Sequence, residues 1–172
     1  MSHGVTAESR EAIYISVIGG SEPKEPALSL AEEVGRLLAQ AGAVVVTGGR
    51  SGVAEAASKG AVEAGGVTVG ILPGADRAEA NPWITYAVCT NLGETRNALV
   101  ALNGDAVIAL DGGPGTLSEI GHALVAGRTV VGLGTWELAR SGRPDRSIVR
   151  AADPAEAVRV ALDAALRRRR AG

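Results

Sequence analysis

Three short β-branched runs in this chain end in paired glycines: at Gly19-Gly20-Ser21, at Gly48-Gly49-Arg50-Ser51-Gly52 and at Asp111-Gly112-Gly113-Pro114-Gly115-Thr116. Residues of this kind can hold an anion. Glycine lacks the Cβ that would keep a phosphate off the backbone. Where a helix follows, its first N–H groups have no intrahelical partner and its dipole favours negative charge. One such turn could equally be a tight strand-to-helix connection, but three in one chain favour a ligand. The third run continues through Thr116 to Glu119 and adds a hydroxyl and a carboxylate, while Glu94-Thr95-Arg96-Asn97 supplies a guanidinium that stays protonated in any role.

Other chemistries have little to work with. Neither G-x-G-x-x-G nor G-x-x-x-x-G-K-[ST] occurs, so the chain reads as neither an ordinary dehydrogenase nor a P-loop nucleotidase. No G-x-S-x-G elbow is present, and the two histidines are His3, near the start, and His122, in a helical stretch. The only lysines, Lys24 and Lys59, sit in no setting that suggests a Schiff base, which argues against pyridoxal phosphate chemistry. The single Cys89 makes no internal disulfide, and no Cys or His spacing resembles a zinc site.

The elements that must position the glycine turns follow from periodicity. β-Branched runs alternate with longer Ala- and Leu-rich stretches, the pattern of βαβ units. The expected fold is α/β, a Rossmann-like parallel sheet of about six to seven strands with helices on both faces. In such a sheet the three glycine turns share one edge. With no Phe, two Trp and two Tyr in 172 residues, the core must be Val, Leu, Ile and Ala, which suits buried parallel strands. That length fits one domain, expected over 11–172 behind a loose tail over 1–10. Strands are predicted at 12–18, 43–47, 67–72, 86–89, 105–110, 129–133 and near 147–150.

Helices are predicted at 28–41, 53–64 and 92–102, directly after Gly115, and from Asp153-Pro154 to about Arg168. Ser29-x-x-Glu32 and Thr116-x-x-Glu119 both read as capping boxes, so on residues alone Glu119 reads more readily as a helix cap than as a reactive group. Two polar stretches, one starting at Pro73-Gly74 and running through Asn81-Pro82-Trp83, the other spanning 134–146, read as loops. Trp83 and Trp136 read as packing residues. The net charge is −2, and the only basic cluster, Arg167 to Arg170, is expected to complement a helix dipole. No nucleic-acid partner, no membrane span and a cytoplasmic location are therefore expected.

The segment Asp111-Gly-Gly-Pro-Gly-Thr-Leu-Ser-Glu119 resembles the P-G-G-x-G-T-x-x-E signature of the Lonely-Guy family, whose members cleave nucleoside 5′-monophosphates to a free base and ribose 5-phosphate. Asp111 stands where that family has Pro, and Asn97 where it has a functional Lys beside the Arg. The likeness extends over most of the chain, through Gly19-Gly20-Ser21, Gly48 to Gly52 and Glu94 to Asn97. These departures, the short length and the run Ser58 to Gly66 are more similar to a bacterial branch related to molybdenum cofactor carrier proteins. The wider superfamily implies a homodimer or homotetramer with the site near a subunit interface, and no required cofactor.

The resemblance assigns Glu119 and Arg96 catalytic roles. Glu119 would stabilise positive charge building on the ribose, and Arg96 would contact the phosphate or the leaving base. It assigns ligand contacts to Gly19, Gly20, Ser21, Gly48, Gly49, Arg50, Asn97, Gly112, Gly113, Pro114, Gly115 and Thr116, with no metal. The expected partner is a phosphorylated small molecule, a nucleotide or molybdopterin. Three readings stay open: a phosphoribohydrolase, a non-catalytic molybdenum cofactor carrier, and a nucleotide sensor.

Overall fold

Runs such as Ile15-Ser16-Val17-Ile18 and Val107-Ile108-Ala109-Leu110 are apolar on both sides, so they can be stable only with both faces of their sheet covered. The computed structural model describes residues 12–171 and buries them in that way; the tail expected over 1–10 lies outside the described residues. The elements run β1 (Tyr14–Gly19), α1 (Ala27–Gln40), β2 (Val44–Thr47), α2 (Val53–Glu63), β3 (Thr68–Leu72), β4 (Tyr86–Cys89), α3 (Asn97–Asn103), β5 (Ala106–Asp111), α4 (Pro114–Val125), β6 (Thr129–Thr135), β7 (Leu138–Arg140), β8 (Arg143–Asp145), β9 (Ile148–Arg150) and α5 (Pro154–Ala171).

Seven strands form one parallel sheet in the order β4-β3-β2-β1-β5-β6-β9. Helices α1, α2 and α5 cover one face over a core that includes Ile15, Val17, Val34, Leu38, Val45, Ile108 and Leu110. Helices α3 and α4 cover the other, over Ile18, Val46, Val100, Ala109, Ile120 and Val130. Both faces are thus closed by helices, as the expected Rossmann-like α/β fold requires. The chain steps outward from β1 to β4 and returns to β5 on the opposite side of β1. The order reverses between β1 and β5, and the crevice at such a reversal is where open α/β sheets bind ligands.

The helices dock closely because glycine leaves room. A Cβ on Gly35 would collide with the Ala57 carbonyl, and one on Gly60 with the Glu32 carbonyl, so α1 and α2 cross in backbone contact. At the foot of the sheet Asp105 Oδ2 accepts the Tyr14 N–H at 2.9 Å and two bonds from the Arg169 guanidinium, at 2.8 and 3.2 Å. Arg169 also donates to the Ala12 carbonyl. One member of the arginine run therefore clasps α5 to the start of β1 and β5, a specific tie in addition to any dipole effect.

Several local expectations change. Ser29 is not an N-cap but lies inside α1, where its N–H and hydroxyl donate to Glu25 Oε2 at 3.2 and 2.7 Å. The helix already starts at Ala27 with Pro26 at the cap position, so the Ser29-x-x-Glu32 box does not form. The stretch 92–102 opens as a 3-10 turn, Gly93–Arg96, before α3 begins. The polar stretch 134–146 holds the β7–β8 hairpin, paired from Leu138–Asp145 to Arg140–Arg143. Asp153 does cap α5, accepting the Glu156 N–H at 2.8 Å. Among the described residues no helix is long and apolar enough to cross a membrane.

Candidate ligand-binding site

The three glycine turns stand together at the carboxyl ends of β1, β2 and β5. Backbone packing holds them there. A Cβ on Gly19 would strike the Leu110 carbonyl, and one on Gly52, at φ +73°, would strike the backbone of Gly20 and Ser21. The Val53 N–H donates to the Gly20 carbonyl at 3.0 Å, tying the start of α2 to the first turn. The long loop after β3 supports the second turn, since Asn81 donates its backbone N–H to Gly49 at 2.9 Å and its side-chain amide to the Arg50 carbonyl at 2.8 Å.

Between the turns lies a cavity of about 510 Å³. Gly19, Gly20, Ser21, Gly48, Arg50, Arg96, Asn97, Gly113, Pro114, Gly115, Thr116 and Glu119 all line it; Gly49 and Gly112 do not. Gly49 takes φ +76° with its Cα against Leu72 and Gly70, and Gly112 takes φ +106° against the Thr116 side chain. Both shape the turns from behind. Glu22, Ser51 and Glu94 also line the cavity, beyond the ligand contacts that the resemblance assigns. Ser51 and Glu94 lie inside the segments that carried the resemblance, and Glu22 directly follows Ser21; adjacency was their only signal. Trp83 does not line it, and Trp136 packs against the α3–α4 side of the core while its Nε1 donates to the Gly113 carbonyl at 3.3 Å.

Helix α4 begins at Pro114 and no side chain caps it. The first-turn N–H groups of Gly115 and Thr116 are therefore without an intrahelical partner, at a positive dipole end that borders the cavity. Thr116 falls within that first turn and is buried, and Glu119 lies one turn further in. Glu119 thus does not close a capping box, because the cap position is Gly113, three residues before Thr116. Asp111 takes φ +49°, a conformation that proline, with φ fixed near about −65°, does not adopt.

Arg96 lies flat over Gly48. A Cβ there would come within 2.8 Å of Nη1 and 3.0 Å of Nη2, so glycine makes the space for the guanidinium. Nη1 donates to Asn97 Oδ1 at 3.0 Å and stands 3.9 Å from Glu119 Oε1, while Nε is buried without a partner. The Asn97 amide points toward Glu94 Oε2, 3.5 Å away. Burial pushes Arg96 below its ordinary value, opposed by Glu119 and Glu94 and assisted by Arg50. Burial pushes the Glu119 carboxyl up to about 7; Arg96 holds it down and Glu94 adds to the rise. Among the described residues no cluster of His, Cys, Asp or Glu is arranged to hold a metal.

A parallel sheet covered by helices on both faces, with its glycine turns at the reversal point, defines the Rossmann-like α/β class. Within that class the chain belongs to the SLOG cluster4 family, whose model matches residues 12–158. It is 40% identical over 121 residues to an uncharacterized protein of Archaeoglobus fulgidus, covering 70% of this chain and 80% of the relative. It is similar to the molybdenum cofactor binding protein of Rippkaea orientalis, at 32% identity and a TM-score of 0.80 over 88% of this chain and 96% of the other. The molybdenum cofactor carrier protein of Chlamydomonas reinhardtii matches at 33% identity and a TM-score of 0.76 over 88% and 97%. DNA processing protein A of Helicobacter pylori shares the fold at 17% identity and a TM-score of 0.67, over 92% and 84%.

Proposed function

We propose that this protein binds a phosphorylated pterin of the molybdenum cofactor type as cargo, with the phosphate on the uncapped start of α4. The observation that carries the reading is the cavity between β1 and β5, where free amides, the glycine turns and the largely covered Arg96 converge. Its volume of about 510 Å³ falls within the range of small-molecule sites. Likeness to two proteins that bind or carry this cofactor, at 32 and 33% identity over most of each chain, supports the choice of ligand. In this reading Gly113 to Thr116 hold the phosphate, Gly19 to Ser21 and Gly48 flank it, and Arg50 and Arg96 neutralise its charge. A homodimer or homotetramer belongs to the same proposal, to be read by light scattering.

A second reading, hydrolysis of nucleoside 5′-monophosphates, is favoured by one observation. A carboxyl held near neutrality beside a guanidinium is suited to stabilising charge on a sugar or handling a proton. Against it stands the neutral Asn97. One experiment separates the two: purified protein is titrated with molybdopterin, and in parallel incubated with a nucleoside 5′-monophosphate panel while free base is followed by chromatography. Saturable molybdopterin binding without base release supports the carrier. Base release by the wild type that is lost in a folded Glu119→Gln variant supports the hydrolase instead.

A further inference from the structure

We infer that an anion entering the α4 end of the cavity binds together with a proton taken up by Glu119, so that the site holds its ligand best at neutral to mildly acidic pH. The inference rests on the reading that this cavity takes a phosphate-like group, and adds a coupling that the reading does not contain. The Glu119 side chain is only 9% exposed and lines the cavity, yet no hydrogen bond from the described residues reaches its carboxyl. Its nearest cation, Arg96 Nη1, is 3.9 Å away and already donates to Asn97. A helix rises about 1.5 Å per residue, which puts Glu119 about 4.5 Å along the axis from Thr116 and the free amides of the first turn.

The charged groups lining the cavity decide the sign of the coupling. Arg96 and Glu94 face the cavity from the 3-10 turn, Arg50 from the turn after β2, and Glu22 from the turn after β1. On α4 itself His122, one turn on, is exposed and does not line the cavity. Two guanidiniums therefore face three carboxylates. An arriving anion meets a surplus of negative charge while Glu119 is ionised, and a hydrogen-bond donor once it is protonated. The buried carboxyl, already held up to about 7, needs the arriving anion to push it well above 8 to stay protonated there. Anion binding and protonation then favour each other, because each makes the local charge more acceptable to the other.

Sulfate is the probe, because its charge stays constant across the range and any pH dependence belongs to the protein. Its binding is measured calorimetrically from pH 6 to 8.5 in buffers of different ionisation enthalpy. The wild type is expected to take up close to one proton per sulfate near pH 8, with affinity falling toward tenfold per pH unit above 7. Glu119→Gln should bind with no proton uptake and a flat pH profile, while His122→Asn should keep the wild-type dependence. Flat wild-type binding without proton uptake, or a dependence that disappears with His122 rather than Glu119, overturns the coupling alone. No sulfate binding at any pH overturns it together with the anion reading of the cavity. Where the Gln variant fails to fold, the wild-type proton count together with its persistence in His122→Asn decides the matter.

Discussion

At the scale of single residues, the site is organised by where Arg96 can lie. Its guanidinium occupies space that any side chain at position 48 would fill, and the three atoms nearest to a Cβ there all belong to Arg96. Gly48→Ala is therefore expected to leave the melting temperature within a few degrees of wild type and to weaken sulfate or molybdopterin binding by tenfold or more, read by calorimetry. A melting temperature lowered as far as a core cavity would lower it argues that Gly48 serves the fold instead. Glu119 carries a stability signature of its own. An unfolded glutamate ionises near 4.3, and in the folded chain this one holds its proton up to about 7. Its contribution is complete below the unfolded value and is lost as pH rises through 7, by on the order of 3 kcal/mol. Urea denaturation at pH 5 and pH 8 should show Glu119→Gln losing less stability than the wild type over that interval; equal losses count against a buried, proton-bearing carboxyl.

At the scale of elements, the α1–α2 crossing and the clasp at the foot of the sheet carry the tightest contacts. Gly35 and Gly60 are interior helix residues, where glycine costs up to about 1 kcal/mol against alanine. The close approach of the Ala57 and Glu32 carbonyls supplies the reason to keep them. Gly35→Ala should gain that propensity but push the helices apart, for a net loss of about 1–3 kcal/mol measured by denaturant unfolding; a stabilised variant contradicts the crossing. Asp105→Ala removes the acceptor shared by the Tyr14 N–H and the Arg169 guanidinium. The cost should be about 1–3 kcal/mol, with faster amide exchange at Tyr14 as its local sign.

At the scale of the whole molecule, the reversal between β1 and β5 brings residues 19–21 and 113–116 into one crevice, with Glu94, Arg96 and Asn97 lining it from the α3 side. None of these segments is adjacent in sequence. The expected α/β architecture and most strand positions were legible because a sheet buried on both faces must be written in continuous apolar runs, and because parallel strands need long crossovers between them, which are usually helices. The glycine turns were legible because few other roles explain three of them.

What the amino-acid sequence determines by itself is therefore the alternation of elements, the composition of the core, and the turns at which an anion can reach the backbone, since all three follow from local propensity and period. Only the tertiary structure decided which residues of those turns face the cavity. Gly49 and Gly112 turn away because their positive φ values serve the bend, while Glu22 and Glu94 turn in. Only the tertiary structure decided that Glu119 is no helix cap. Capping depends on where the helix starts, and Pro114 starts it early enough to carry the carboxylate a turn inside, against Arg96. The hairpin after β6 and the Arg169–Asp105 clasp stayed hidden for the same reason: each depends on partners brought close by the fold rather than by sequence spacing.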